Sequence, residues 1–73
     1  MTMLNSKNII FVKRYDYDGL PYKFFVRLKN DYREYITTSF NDLPKTVQKF
    51  IMTHTEEKHD STGSLYNVWI YRA

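Results

Sequence analysis

The sequence predicts an α+β fold, a small antiparallel sheet with one helix packed on one face, in the order β-β-β-α-β. Three observations favour this fold. β-favouring stretches separated by turn residues fill the chain to residue 40, a stretch with helical spacing follows, and an apolar stretch ends the sequence. The 73 residues contain no repeat, linker or low-complexity segment, so we expect a single domain, 1–73.

The first two strands follow from residue type and alternation. Residues 7–15 (KNIIFVKRY) are rich in β-branched and aromatic side chains, and Asp18-Gly19 with Pro21 indicates the turn after them. Residues 22–29 (YKFFVRLK) alternate between an apolar side and a largely basic side. This alternation is typical of a strand with one face toward a core.

The third strand, the helix and the last strand complete the predicted fold. The polar pair Asn30-Asp31 separates the second strand from 33–40 (REYITTSF), which is rich in Tyr, Ile and Thr. The helix is predicted over about 43–58, where apolar residues recur at three-and-four spacing after residues suited to a helix start. The final stretch, 65–72 (LYNVWIYR), is apolar on both sides, as in a central strand.

One helix covers only one face of such a sheet, and the other face needs an occupant. Residues 9–12 and 68–71 carry large side chains toward both faces. The second face is therefore predicted to be an aromatic binding surface or the contact of a homodimer. Trp69 is expected to fill the core or the dimer contact.

No motif for catalysis or metal binding occurs in the sequence. His54 and His59 are five residues apart and would diverge by about 140° on a helix, whereas zinc protease motifs place two histidines four apart. The two glycines cannot form a phosphate loop or a dinucleotide fingerprint. We therefore expect no enzyme, no catalytic residue, no metal site and no cofactor.

The composition also bears on cellular location. The chain has no cysteine, and no apolar run approaches the about 20 residues of a membrane-spanning helix. We expect no membrane association and no secretory signal, hence a cytoplasmic protein. A small tyrosine- and lysine-rich chain is typical of viral or mobile-element accessory proteins, which would place it in the cytoplasm of a bacterial host.

The positive charge is concentrated in the first half of the chain. Residues 1–33 hold seven Lys and Arg against three Asp, a net +4, whereas residues 34–73 hold four against five acidic residues, a net −1. Basic residues interleaved with aromatic ones are typical of sheets that bind single-stranded nucleic acid. The predicted binding residues are Lys23, Phe25, Arg27, Lys29, Arg33 and Tyr35, with Lys13, Arg14 and Arg72 as additions.

The register of the second hairpin separates two functions, because a slip of one residue moves every side chain of a strand to the other face. If residues 30 and 31 alone form the loop, Arg27 faces Glu34 and Phe25 faces Ile36. That face is nearly neutral and partly apolar, and suits contact with another protein.

A three-residue loop gives the opposite result. Val26 then meets Ile36 in the core, and Lys29 faces Arg33 beside a basic, aromatic stripe in solvent. We expect this register, because it buries Ile36 and Phe40.

These observations lead to two hypotheses. The first is a small non-catalytic protein that binds RNA or another single strand through its basic, aromatic sheet face. Sequence-specific duplex recognition is disfavoured because no exposed basic recognition helix is predicted. The alternative is a viral or mobile-element inhibitor or adaptor that binds a host protein or nucleoprotein complex through its sheet face or an edge strand.

Overall fold

The computed structural model describes residues 3–17, 21–59 and 66–72, which form an antiparallel sheet with one α-helix. In chain order the elements are β1 (Ile9–Tyr17), β2 (Tyr22–Leu28), β3 (Tyr32–Thr37), a 3₁₀ turn (Phe40–Asp42), α1 (Lys45–Thr53), β4 (Thr55–His59) and β5 (Tyr66–Arg72). The five strands lie in the order β3-β2-β1-β5-β4, and all neighbours are antiparallel. The predicted α+β class is confirmed.

α1 packs on one face of this sheet, which we call the inner face. Leu43, Val47 and Phe50 form one buried cluster with strand residues from β1, β2 and β5. The strand members of the cluster are Ile9, Val12, Phe24, Val26, Leu28 and Tyr71. The opposite side of the sheet is the outer face.

A bulge in β1 explains why residues 9–12 lack alternation. Ile9 pairs with Leu28 and Phe11 pairs with Arg27, so the register shifts between Ile9 and Phe11. Ile9 and Val12 are both buried in the core although they are three residues apart. Phe11 is thereby directed to the outer face.

The predicted helix over about 43–58 begins near the observed start but is wrong at its C-terminal end. α1 covers Lys45–Thr53, His54 is extended, and residues 55–59 form β4 beside β5. The stop has local causes: Nδ1 of His54 lies 2.8 Å from the Phe50 carbonyl oxygen, and the ring stacks on Phe50. Glu56, Glu57 and Lys58 lie within the predicted helix but are exposed on β4, which is an edge strand.

β5 lies between β1 and β4, and its apolar character follows from that interior position. Val68 and Ile70 are buried on the outer face, whereas Tyr71 is buried on the inner face. Trp69 is partly buried and packs against the core, which is one of the two predicted roles.

The second hairpin has neither predicted loop. Lys29 and Asn30 are the loop residues, and the Leu28 N–H donates to the Asp31 carbonyl oxygen at 2.8 Å. Arg27 accordingly pairs with Tyr32 rather than with Glu34 or Tyr35. The Lys29 N–H also donates to the Asn8 carbonyl oxygen, so contact with the N-terminal segment helps fix the turn.

This register reverses the expected burial in β3. Tyr35 packs against the core, whereas Ile36 is 72% exposed on the outer face. Phe40 does reach the core, but it does so from the 3₁₀ turn and not from a strand. The three-residue loop predicted to bury Ile36 is therefore wrong. β3 instead turns Tyr32, Glu34 and Ile36 to the outer face, the same side chains that a loop at residues 30 and 31 would have turned there.

Candidate nucleic-acid interface

The outer face carries a row of alternating cations and aromatic rings across four strands. Cross-strand partners share a face, and Arg72 pairs with Phe11, Phe11 with Arg27, and Arg27 with Tyr32. We call these four residues the arginine–aromatic row. At about 4.8 Å between neighbouring strands, the row runs for about 14 Å across the sheet.

Three rings of this face form a continuous array. The centroids of Phe11 and Phe25 are 6.2 Å apart with planes at 28°, and those of Phe25 and Tyr32 are 5.3 Å apart with planes at 19°. Tyr32 ends the array on β3 and is 54% exposed. A planar group from solvent could extend the array by stacking on Tyr32.

The basic side chains around the array form only weak ion pairs. Lys23 lies 3.7 Å from Glu34 and Arg72 lies 3.3 Å from Glu57, both as solvent-exposed pairs of the kind worth about 0–1 kcal/mol. The Lys13 ammonium lies 5.5 Å from the centre of the Phe11 ring. Within the described ranges Arg27 has no ion-pair partner, so its guanidinium is the cation of the row most available to an anion.

A shallow cavity adjoins the row. It has a volume of about 360 Å³ and is lined by Ile10, Phe11, Lys13, Ile70 and Arg72. Two cations and one ring thus border an aliphatic surface, a combination that suits an amphipathic ligand with a planar part and an anionic part.

The structure brings together only part of the predicted site. The predicted residues on the outer face are Lys13, Lys23, Phe25, Arg27 and Arg72, while Lys29 lies in the β2–β3 turn. Those on the inner face are Arg14, Arg33 and Tyr35. The observed strand registers therefore place these three residues on the face opposite Phe25 and Arg27, whereas the sequence predicted that they share one surface.

The predicted binding residues did not include Phe11 and Tyr32. Phe11 was hidden in the run 9–12, because the bulge of β1 cannot be recognised from alternation. Tyr32 was assigned to the loop rather than to β3. A direct comparison of hairpin registers that included a loop at residues 29 and 30 would have placed Tyr32 beside Arg27.

Arg14 takes part in a network on the inner face. Its Nε lies 2.9 Å from the Asp16 carboxylate, and its Nη1 donates to the Tyr71 hydroxyl at 2.9 Å. The Trp69 indole N–H donates to the other Asp16 oxygen at 3.1 Å, and the Tyr71 hydroxyl donates to the Glu56 carboxylate. These contacts engage Nε and Nη1 of Arg14 and connect β4 and β5 to β1.

The network makes the stability of the fold sensitive to alkaline pH. Burial and the hydrogen bond to Glu56 raise the pKa of Tyr71 above the ordinary tyrosine value near 10. Because the neutral phenol is favoured in the folded state, its stabilising contribution is complete below about pH 10 and decreases as pH rises further.

We therefore expect the free energy of unfolding, measured by urea denaturation, to fall as the pH rises above about 10. Tyr71→Phe is the control, since it removes this group and leaves the other tyrosines. A decline of equal steepness in the wild type and in Tyr71→Phe would contradict this prediction.

The described residues show neither a metal cluster nor a membrane span. No three His, Cys, Asp or Glu side chains converge among them. Over the same part of the chain, no helix is long and apolar enough to cross a membrane.

No family model, curated protein or solved structure matches this chain.

Proposed function

We propose that this chain is a non-catalytic protein that binds single-stranded nucleic acid, RNA in particular, through its outer face. The observation that carries the proposal is the arginine–aromatic row, which alternates phosphate-binding and base-stacking groups across the sheet. Such a protein would act in the cytoplasm, that of a bacterial host if a virus encodes it.

Each group of the row has a defined task in this proposal. The guanidinium group of an arginine binds a phosphate through two parallel hydrogen bonds. Arg27 can make this contact between the rings of Phe11 and Tyr32. Aromatic rings stack on bases irrespective of sequence, with about 1–3 kcal/mol per stacked base. The proposal thus predicts affinity with little sequence preference.

Single strands are favoured over duplexes by the shape of the surface. Reading a duplex commonly requires a helix in the major groove, but α1 has nine residues and packs Val47 and Phe50 against the sheet. The outer face exposes rings that need unpaired bases.

Titration into labelled single-stranded RNA, single-stranded DNA and duplex DNA at two salt concentrations tests the proposal. The protein must first be freed of co-purified nucleic acid. We expect binding to single strands that weakens steeply with salt. In a plot of the logarithm of the binding constant against the logarithm of the salt concentration, each neutralised phosphate should contribute about 0.7 to the negative slope. Absence of binding at low salt would refute the proposed function.

A second candidate function is contact with another protein, whether a host protein, a nucleoprotein or a second copy of the chain. It is favoured by the register of the second hairpin, which places Glu34 and Ile36 on the outer face, as in the hairpin predicted to suit contact with another protein. Ile36 is 72% exposed there and Ile10 is 45% exposed. This function predicts binding that is insensitive to salt and is lost in Ile36→Ser rather than in variants of the cations.

A further inference from the structure

A second cavity lies between the N-terminal segment and α1. It has a volume of about 450 Å³, and the described residues that line it are Asn5, Ser6, Lys7, Thr46 and Lys49. We call it the lysine cleft. It presents two ammonium groups, two hydroxyl groups and one amide, and these lining residues include no carboxylate.

The N-terminal wall of the cleft is fixed by its own contacts. The Lys7 N–H donates to the Asn5 side-chain oxygen at 2.8 Å, and the Asn8 N–H donates to the Asn5 carbonyl oxygen at 2.9 Å. Leu4 packs against the hydrophobic core. Little ordering of this wall would be needed when a ligand binds.

The charge of the cleft is uncompensated. Across residues 3–17, 21–59 and 66–72, neither Lys7 nor Lys49 forms an ion pair. Two ammonium groups on one cavity repel each other, and an anion between them removes that repulsion. Hydroxyl groups beside the ammonium groups supply further donors for phosphate oxygens.

The β2–β3 turn at one end of the sheet connects the outer face with the N-terminal wall of the cleft. Arg27 of the arginine–aromatic row precedes the β2–β3 turn, in which Lys29 lies. The Lys29 N–H donates to the carbonyl oxygen of Asn8, the residue after Lys7, at 3.1 Å. Basic residues therefore follow one another from the outer face, across the turn, to the helix side of the molecule.

We infer that the lysine cleft binds phosphate groups of the same nucleic-acid strand after the strand has passed over this end of the sheet. The inference rests on the proposed function, and it adds a second anchoring point to the outer face. A short oligonucleotide would occupy the outer face alone, whereas a longer one would reach both sites.

The test compares the wild type with Lys7→Gln/Lys49→Gln on single-stranded RNA of about 5 and about 15 nucleotides, which lie within the range of site sizes of sheet-type binders. On the longer RNA we expect the salt dependence of the double variant to be shallower than that of the wild type by about 1.4 in the slope of log binding constant against log salt concentration, about 0.7 for each lysine. We also expect the double variant to lose about tenfold in affinity per lysine at about 0.05 M salt. On the shorter RNA its affinity should be close to that of the wild type.

Lys58→Gln is the matched control for one lost charge, because Lys58 lies on β4 over the Trp69 ring, outside the cleft. Each single cleft variant should lose more affinity for the longer RNA than this control. Unchanged slope and affinity in the double variant, with tight wild-type binding, would overturn the inference and leave the proposed function intact. Wild-type protein that binds neither RNA would overturn both.

Discussion

Arg27→Glu is expected to weaken the binding of single-stranded RNA about 100-fold at about 0.05 M salt. Reversal of the charge removes one phosphate contact and adds one repulsion, and each is worth about tenfold at this salt concentration. Arg27 lies between Phe11 and Tyr32, and it forms no ion pair with any residue in the described part of the chain. A fluorescence anisotropy titration measures the change.

Arg33→Glu provides the matched control, since it changes the net charge by the same amount on the neighbouring strand. Arg33 pairs with Val26 on the inner face, so its replacement should weaken binding only by the small effect of net charge. Thermal melting establishes that both variants remain folded. Equal losses in the two variants would show that binding follows bulk charge, and would contradict a site on the outer face.

The same pair of variants also tests the register that sequence reasoning could not determine. From the sequence, Arg27 and Arg33 were expected on one face, because the three-residue loop buried Ile36 and Phe40. The observed loop at Lys29 and Asn30 is held in part by the hydrogen bond from the Lys29 N–H to the Asn8 carbonyl oxygen, a contact between distant parts of the chain. Local alternation carries no information on such contacts.

The fold class was accessible from the sequence because alternation and helical spacing are local properties. Two features were not local. The bulge of β1 depends on packing of both Ile9 and Val12 in one core, and β4 depends on pairing with β5. Residues 55–59 have no strong intrinsic preference for a strand, so tertiary context determines their conformation.

The sequence predicted which types of residue form the candidate site, but only some of the individual residues. Basic and aromatic residues on a sheet were recognisable from composition, and Lys23, Phe25 and Arg27 do share the outer face. Phe11 and Tyr32 complete the surface only once the bulge of β1 and the loop of the second hairpin have set the registers of these strands. Composition therefore indicates a class of ligand, and register determines which residues meet it.

Phe24→Ala is expected to have the largest effect on stability. Phe24 is 2% exposed, and truncation of a buried Phe to Ala costs about 3–5 kcal/mol through lost burial and the cavity left behind. At about 0.05–0.15 kcal/mol per residue, a domain of 73 residues has a total stability of about 4–11 kcal/mol. The substitution removes a large share of that total, so a substantial unfolded fraction is expected at the lower end of the range.

The adjacent variant Phe25→Ala separates the two faces of one strand. Phe25 is half-buried on the outer face between Phe11 and Tyr32, so its removal should cost less stability and mainly interrupt the aromatic array. Urea denaturation should give a large drop in midpoint for Phe24→Ala and a smaller one for Phe25→Ala, whereas RNA affinity should fall in folded Phe25→Ala protein. A greater loss of stability in Phe25→Ala would mean that the outer face, and not the inner one, forms the main core.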